Sequence, residues 1–126
     1  MVLQDTILVI DDDNELRSVL RDALLEAGYE VELAENGKVG LDKALSVRPN
    51  LILLDLVMPV MDGWAFLEHL NNDEWGKSAR VIILTNADDI HSLSRAIEGH
   101  GYEYLVKTDW KLEEVLEKIK GELGAG

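Results

Sequence analysis

The chain has 126 residues, which is enough for one compact domain and too few for two of ordinary size. Its formal net charge of −13 argues against a nucleic-acid partner, because contacts to phosphates need Lys and Arg, although such a charge is also common in proteins that only need to be soluble. It has no cysteine, no secretion signal and no apolar stretch near the ~20 residues of a membrane span. We therefore expect one domain over residues 1–126, without an output domain, in the cytoplasm and away from the membrane.

Five short segments predict β-strands. In chain order they are Thr6–Ile10, Glu30–Ala34, Leu51–Leu54, Val81–Leu84 and Glu103–Val106. The first, third and fourth are rich in Val, Ile and Leu and are apolar without alternation. This pattern is typical of strands that are buried on both faces of a parallel sheet.

Apolar residues at helical spacing follow each of these strands. The predicted helices span Leu16–Ala27, Lys38–Val47, Trp64–Leu70, Asp88–Glu98 and Leu112–Leu123. Gly28 and Pro49 end the first two, and Thr108 or Asp109 is the predicted N-cap of the last. The alternation indicates an α/β fold of the (βα)₅ type: a doubly wound, five-stranded parallel sheet with helices on both faces because the crossovers are right-handed.

Polar side chains follow four of the five predicted strands. In an open α/β sheet, ligands bind at the carboxyl ends of the strands, so these side chains indicate where a site lies. They are Asp11, Asp12 and Asp13 after the first strand, Asp55 after the third, Thr85 and Asn86 after the fourth, and Lys107 after the fifth. Taken singly, each has an ordinary explanation as a helix cap, a turn residue, a strand residue or a solvated side chain.

Taken together, these residues indicate a cation site. Carboxylates that converge on one rim repel one another, which is costly unless a cation is bound there. Oxygen ligands with open positions suit Mg²⁺, with Mn²⁺ as the alternative, and such an ion shares its shell with a phosphate group.

Four segments resemble the receiver domain of bacterial response regulators over nearly the whole chain. They are Ile7-Leu-Val-Ile-Asp-Asp-Asp13, Leu51-Ile-Leu-Leu-Asp-Leu-Val-Met-Pro-Val-Met-Asp-Gly63, Val81-Ile-Ile-Leu-Thr85 and Tyr104-Leu-Val-Lys107. The resemblance implies a flavodoxin-like sheet with strand order 2-1-3-4-5. It also implies a two-component phosphorelay, in which a histidine kinase or a phosphotransfer protein phosphorylates an aspartate. Such a chain is not an enzyme, except that it catalyses its own phosphorylation and dephosphorylation.

By position, the resemblance assigns the phospho-acceptor and the metal ligands. Asp55 corresponds to the nucleophile that forms an aspartyl phosphate. Asp12 would bind Mg²⁺ directly and Asp11 mostly through water. Asp55 and the backbone carbonyl of Val57 would complete the protein ligands. Asp13 has no clear role in the family, and we expect it to cap a helix.

The resemblance also implies a switch. Lys107 would pair with a phosphoryl oxygen, and Thr85 would donate its hydroxyl to the bound phosphoryl group. Tyr104 occupies the position of the family's switch aromatic, for which a permanently buried strand aromatic is the alternative. The switched surface would be formed by the predicted helix 88–98, the fifth strand and the last helix. A downstream protein or a second copy of the chain would dock on it.

Four residues near the predicted site are expected to affect reaction rates or loop geometry. Asn86 replaces the usual Ala or Gly, and we expect it to slow phosphorylation by small donors. Thr108 replaces the usual Pro, so we expect the bond between Lys107 and Thr108 to be trans, since a cis bond there costs about 2.5–4 kcal/mol. Val57 and Ala87 cannot hold an attacking water by a side-chain hydrogen bond, which predicts slow self-dephosphorylation.

Two other functions fit part of the pattern. A phosphatase of the haloacid-dehalogenase type would also have Asp11 and Asp13 after one strand and Thr85-Asn86 after another, but it needs a further acidic pair after its lysine and usually a cap domain. A receiver-like binding module that takes no phosphate is the second alternative, although all the functional positions are present.

Overall fold

The computed structural model describes residues 5–56, 60–85, 102–106 and 111–124, with only the backbone for Thr85. The strands are β1 Thr6–Ile10, β2 Glu30–Ala34, β3 Leu51–Asp55, β4 Val81–Thr85 and β5 Glu103–Val106. The helices are α1 Asn14–Glu26, α2 Gly37–Val47, α3 Gly63–Asn71 and a C-terminal helix Leu112–Glu122, and a 3₁₀ turn covers Gly76–Ser78. The predicted helix Asp88–Glu98 lies outside the described residues.

The strands form one parallel sheet in the order β2-β1-β3-β4-β5. This order confirms the predicted fold class. Because all strands run the same way, their carboxyl ends lie on one rim. The strands β3 and β4 are each one residue longer than predicted, since Asp55 pairs with Leu84 and Thr85 pairs with Val106.

Alternate strand residues enter two separate cores. One core holds Leu8, Ile10, Ile52 and Leu54 against Phe66 of α3 and further residues of α2 and α3. The other contains Ile7, Val9, Leu51 and Leu53 with α1 and the C-terminal helix, whose buried side chains are Leu20, Leu24, Val115 and Ile119. Strand residues of both kinds are fully buried, which explains the unbroken apolar runs in the sequence.

The ends of the helices follow local rules, with one exception. Asp13 caps α1, and Gly28 follows that helix with a φ of 98°. The C-cap residue of α2 is Arg48, which has a φ of 52° and directly precedes Pro49. The prediction of Thr108 or Asp109 as the cap of the last helix was wrong, because the N-cap residue is Lys111 and it makes no side-chain cap. Glu113 and Glu114 lie in the first turn of that helix, where their charges offset the helix dipole.

Candidate functional site

Three carboxylates form a cluster at the carboxyl ends of β1 and β3. Ile10 pairs with Leu54, so the next residue of each strand, Asp11 and Asp55, lies on the same rim. Three carboxylate oxygens, one from each of Asp11, Asp12 and Asp55, lie within 4.8 Å of one another. Asp11 and Asp55 are buried and Asp12 is exposed. The structure therefore brings together the three aspartates that the sequence predicted as metal ligands.

Hydrogen bonds hold the loop between β1 and α1 at both ends. The Asp11 amide donates to the Ala34 carbonyl of β2 over 3.1 Å, and the Asp13 amide donates to Asp11 Oδ1 over 2.9 Å. The amides of Glu15 and Leu16 donate to Asp13 Oδ1 over 3.0 and 3.2 Å. Asp13 is thus the helix cap, as predicted, and its carboxylate is committed to α1.

Arg17 is a contact of this loop that the sequence reasoning missed. Its Nη1 donates to the backbone carbonyl of Asp11, and its Nη2 donates to the side-chain oxygen of Asn14. The spacing could have indicated it, because residue 17 lies one helical turn after the Asp13 cap and so faces back toward the loop.

The loop after β3 is held by two close backbone approaches. The Gly63 amide donates to the Leu56 carbonyl over 2.8 Å, and a Cβ on Gly63 would lie 2.7 Å from the Asp55 carbonyl oxygen. The Gly37 amide of α2 donates to the Met61 carbonyl over 3.1 Å. Asp62 caps α3 by accepting a hydrogen bond from the Ala65 amide at 2.9 Å. Both residues of the Asp62-Gly63 pair therefore have a local structural role, Asp62 as a helix cap and Gly63 as the residue that allows the close backbone approach.

Val60, in the same loop, has a φ of 70° and a side chain that is 77 % exposed. A β-branched residue in this region of φ is strained, and little packing of its own compensates it.

The described phosphoryl and switch positions lie on β4 and β5, on the side of β3 that faces away from β1. Thr85 is one residue beyond Leu84, the partner of Asp55, so its backbone lies on the acidic rim. Tyr104 lies on the edge strand β5, where it pairs with Ile83 of β4. Its side chain is 39 % exposed, so in this conformation Tyr104 is not a buried strand aromatic. The remaining predicted positions lie outside the described residues: Val57, Asn86, Ala87, Lys107 and Thr108.

Comparison with known proteins identifies the class to which this fold and site belong. A family model described as "Response regulator receiver domain" matches residues 7–120. "Response regulator MprA" of Mycolicibacterium vanbaalenii is 35 % identical over 114 residues, which are 90 % of this chain and 48 % of that protein. The protein of the same name from Mycobacterium tuberculosis gives the same identity and coverage. The chain thus spans about half the length of the curated relatives it matches.

Solved structures of receiver proteins are similar to this fold. The chemotaxis protein CheY4 of Vibrio cholerae has a TM-score of 0.83 and 28 % identity, covering 94 % of this chain and 98 % of that one. A CheY-like receiver domain protein of Methanospirillum hungatei has a TM-score of 0.87 and 28 % identity, covering 98 % and 96 %.

The chain belongs to the response regulator receiver family, the signalling phospho-acceptors of two-component systems. This confirms the function predicted from the sequence, and the haloacid-dehalogenase alternative is not favoured. Phosphorylation and Mg²⁺ binding are typical of the family, and the acidic cluster is consistent with both. Among the described helices, none is long and apolar enough to cross a membrane.

Proposed function

We propose that Asp55 accepts the phosphoryl group. The observation that carries this proposal is the position of Asp55 at the end of a central strand, within the cluster that it forms with Asp11 and Asp12. Transfer from a phosphohistidine breaks the bond between nitrogen and phosphorus and forms a bond from an Asp55 carboxylate oxygen to phosphorus. Since this side chain is 3 % exposed, the donor must approach through the rim.

The donor set of the cluster fits Mg²⁺. All three groups are carboxylates, the oxygen ligands that this ion prefers, and oxygens within 4.8 Å of one another can share an ion directly or through a bound water. Asp11 Oδ1 already accepts the Asp13 amide, which favours binding through water for Asp11 and direct binding for Asp12 and Asp55. The carbonyl of Val57 is a further proposed ligand. When bound, the cation neutralises charge on the phosphoryl oxygens, and Mn²⁺ would serve in the same way.

We further propose that Thr85 and Lys107 bind the phosphoryl group and that Tyr104 reports its presence. The end of β4 lies beside Asp55 in register, which supports the placement of Thr85. The exposed ring of Tyr104 corresponds to the outward state of the proposed switch. Asn86, Ala87, Val57 and Thr108 stay predicted modulators of rate and loop geometry.

The proposed partners follow from the family. A histidine kinase or phosphotransfer protein would supply the phosphoryl group, in the cytoplasm. The message would pass to a downstream protein or a second copy through residues 88–98, β5 and the C-terminal helix. Within residues 1–126 we propose a single receiver domain whose catalysis is limited to its own phosphorylation and dephosphorylation.

Mass spectrometry after incubation with acetyl phosphate and Mg²⁺ tests the central proposal. We expect one phosphoryl adduct, on Asp55, that is lost in Asp55→Asn and retained in Asp13→Asn, which keeps a capping oxygen and lies outside the cluster. An adduct that persists undiminished in Asp55→Asn would refute the assignment.

A further inference from the structure

Arg17 binds the peptide group that joins two of the proposed metal ligands. The carbonyl oxygen of Asp11, which accepts from Arg17 Nη1, belongs to the peptide bond between Asp11 and Asp12. The orientation of that peptide group sets the direction in which the Asp12 side chain leaves the backbone. Arg17 is half-buried, and its second nitrogen is held by Asn14, so the guanidinium has a defined position.

Three other backbone groups of the loop are bound by β2, by the Asp11 side chain or by α1. The Asp11 amide is held by β2, and the Asp13 amide by the Asp11 side chain. The Asp13 carbonyl accepts the Arg17 amide over 3.0 Å as the first bond of α1. The Asp11 carbonyl, by contrast, accepts from the Arg17 side chain, which is not part of the backbone hydrogen bonds of the sheet or of α1.

We propose that Arg17 is a positioning residue for the cation site, which orients Asp12 by binding the Asp11 carbonyl. The inference rests on the magnesium site proposed above. Groups that orient metal ligands commonly change metal affinity by about 10- to 100-fold when they are removed. A planar guanidinium donates to two acceptors at once, whereas an ammonium cannot reproduce that fork, so lysine is not an equivalent replacement.

The sign of the effect separates positioning from simple charge. Arg17 is a cation near the site, so if it acted only through its charge, its removal would strengthen Mg²⁺ binding, and more so at low salt. If it positions Asp12, its removal weakens Mg²⁺ binding in spite of the lost positive charge. The two explanations therefore predict opposite changes.

A titration with Mg²⁺ alone, followed by amide chemical shifts, tests the proposal. We expect Arg17→Gln to raise the Kd about tenfold and Arg17→Lys to restore little of the affinity. Arg21→Gln is the matched control, since Arg21 lies one turn further along α1 and pairs with exposed Asp22 at 3.1 Å. The Kd of that variant should be unchanged.

A second variant checks the route of the effect. Asn14→Ala removes the other acceptor of the guanidinium, and we expect a smaller loss of affinity that does not add to that of Arg17→Gln, because both act through one contact. An unchanged or lower Kd in both Arg17→Gln and Arg17→Lys overturns the proposal. If Arg17→Gln does not fold, the Kd values for Mg²⁺ of Arg17→Lys and Asn14→Ala are used instead, and an unchanged or lower Kd in both overturns the proposal.

Asp12→Asn distinguishes this proposal from the one on which it rests. Loss of Mg²⁺ binding in Asp12→Asn, with no effect in the Arg17 variants, would overturn the positioning role alone. Undiminished Mg²⁺ binding in Asp12→Asn would overturn the metal site itself.

Discussion

The amide of Gly63 donates a 2.8 Å hydrogen bond to the carbonyl of Leu56, so that the chain turns back beside Asp55. A Cβ at residue 63 would lie 2.6 Å from the Leu56 Cα and 2.7 Å from the Asp55 carbonyl oxygen. Both neighbours are backbone atoms of the strand end that carries the proposed phospho-acceptor. This close approach couples the geometry of the turn to the geometry of the site.

We expect Gly63→Ala to lower the free energy of unfolding by about 1–3 kcal/mol, because the backbone must move to accept the methyl group. The phosphorylation rate with acetyl phosphate should fall as well, since Asp55 moves with the turn. Gly121→Ala is the control: a Cβ there meets nothing within 4 Å, and alanine favours the helix by about 0.5–1 kcal/mol. Urea unfolding of both variants measures the difference, and equal stabilities would contradict the steric argument.

Val60 should be replaceable with a gain in stability. Its φ of 70° disfavours a β-branched residue, whereas Asn tolerates this conformation. We expect Val60→Asn to raise the free energy of unfolding by about 1 kcal/mol. Val19→Asn, at a side chain that is 49 % exposed on α1, should give no such gain. If Val60→Asn is less stable than the parent, the exposed valine makes contacts that its position does not suggest.

Asp12→Asn should stabilise the protein in the absence of divalent cations. Asp12 contributes one of three carboxylates within 4.8 Å, and two unit charges about 4 Å apart repel by about 1 kcal/mol in water. We therefore expect the unfolding free energy to rise by about that amount without Mg²⁺. Added Mg²⁺ should stabilise the parent and leave the variant unchanged, because a ligand stabilises only the folded state that binds it. A variant that is less stable without Mg²⁺ would show that the carboxylates are already compensated.

Thr85→Ala should still accept phosphate on Asp55 but lose most of the switched population. A ligand shifts such an equilibrium only by its differential affinity for the two states, and Thr85 is the proposed contact that supplies the difference. Ring resonances of Tyr104 should change on addition of beryllofluoride and Mg²⁺ in the parent and much less in the variant. Tyr102 is an internal control, because its hydroxyl donates to the Asn71 side chain over 3.2 Å and its ring should stay in place. A full response in Thr85→Ala would refute the mechanism.

Asn86→Ala should be phosphorylated faster by acetyl phosphate than the parent chain. The physical reason is that alanine leaves more room for the donor beside the proposed phosphoryl position. Stability should change little, since residue 86 comes after the last residue of β4 in the sequence and so outside the buried part of that strand. A time course of adduct formation measures the rate, and an equal or slower rate would show that Asn86 assists the reaction or has no part in it.

The sequence alone determined the fold, because a doubly wound parallel sheet has a local signature in each of its elements. The strands Glu30–Ala34 and Glu103–Val106 were predicted with the bounds that the structure shows. The position of the site followed from one property of the topology: the carboxyl ends of parallel strands all lie on the same rim of the sheet. Asp11, Asp12 and Asp55 could therefore be brought together without coordinates, and the family motif supplied the same grouping.

Only the tertiary structure decided the contacts that run between elements. The hydrogen bond from the Gly37 amide to the Met61 carbonyl depends on how α2 packs beside the β3–α3 loop. The start of the last helix at Leu112 likewise reflects backbone bonds and first-turn charges rather than a capping side chain, because its N-cap residue Lys111 makes no side-chain cap. Such features involve residues far apart in sequence or compete with local preferences, so no short pattern encodes them.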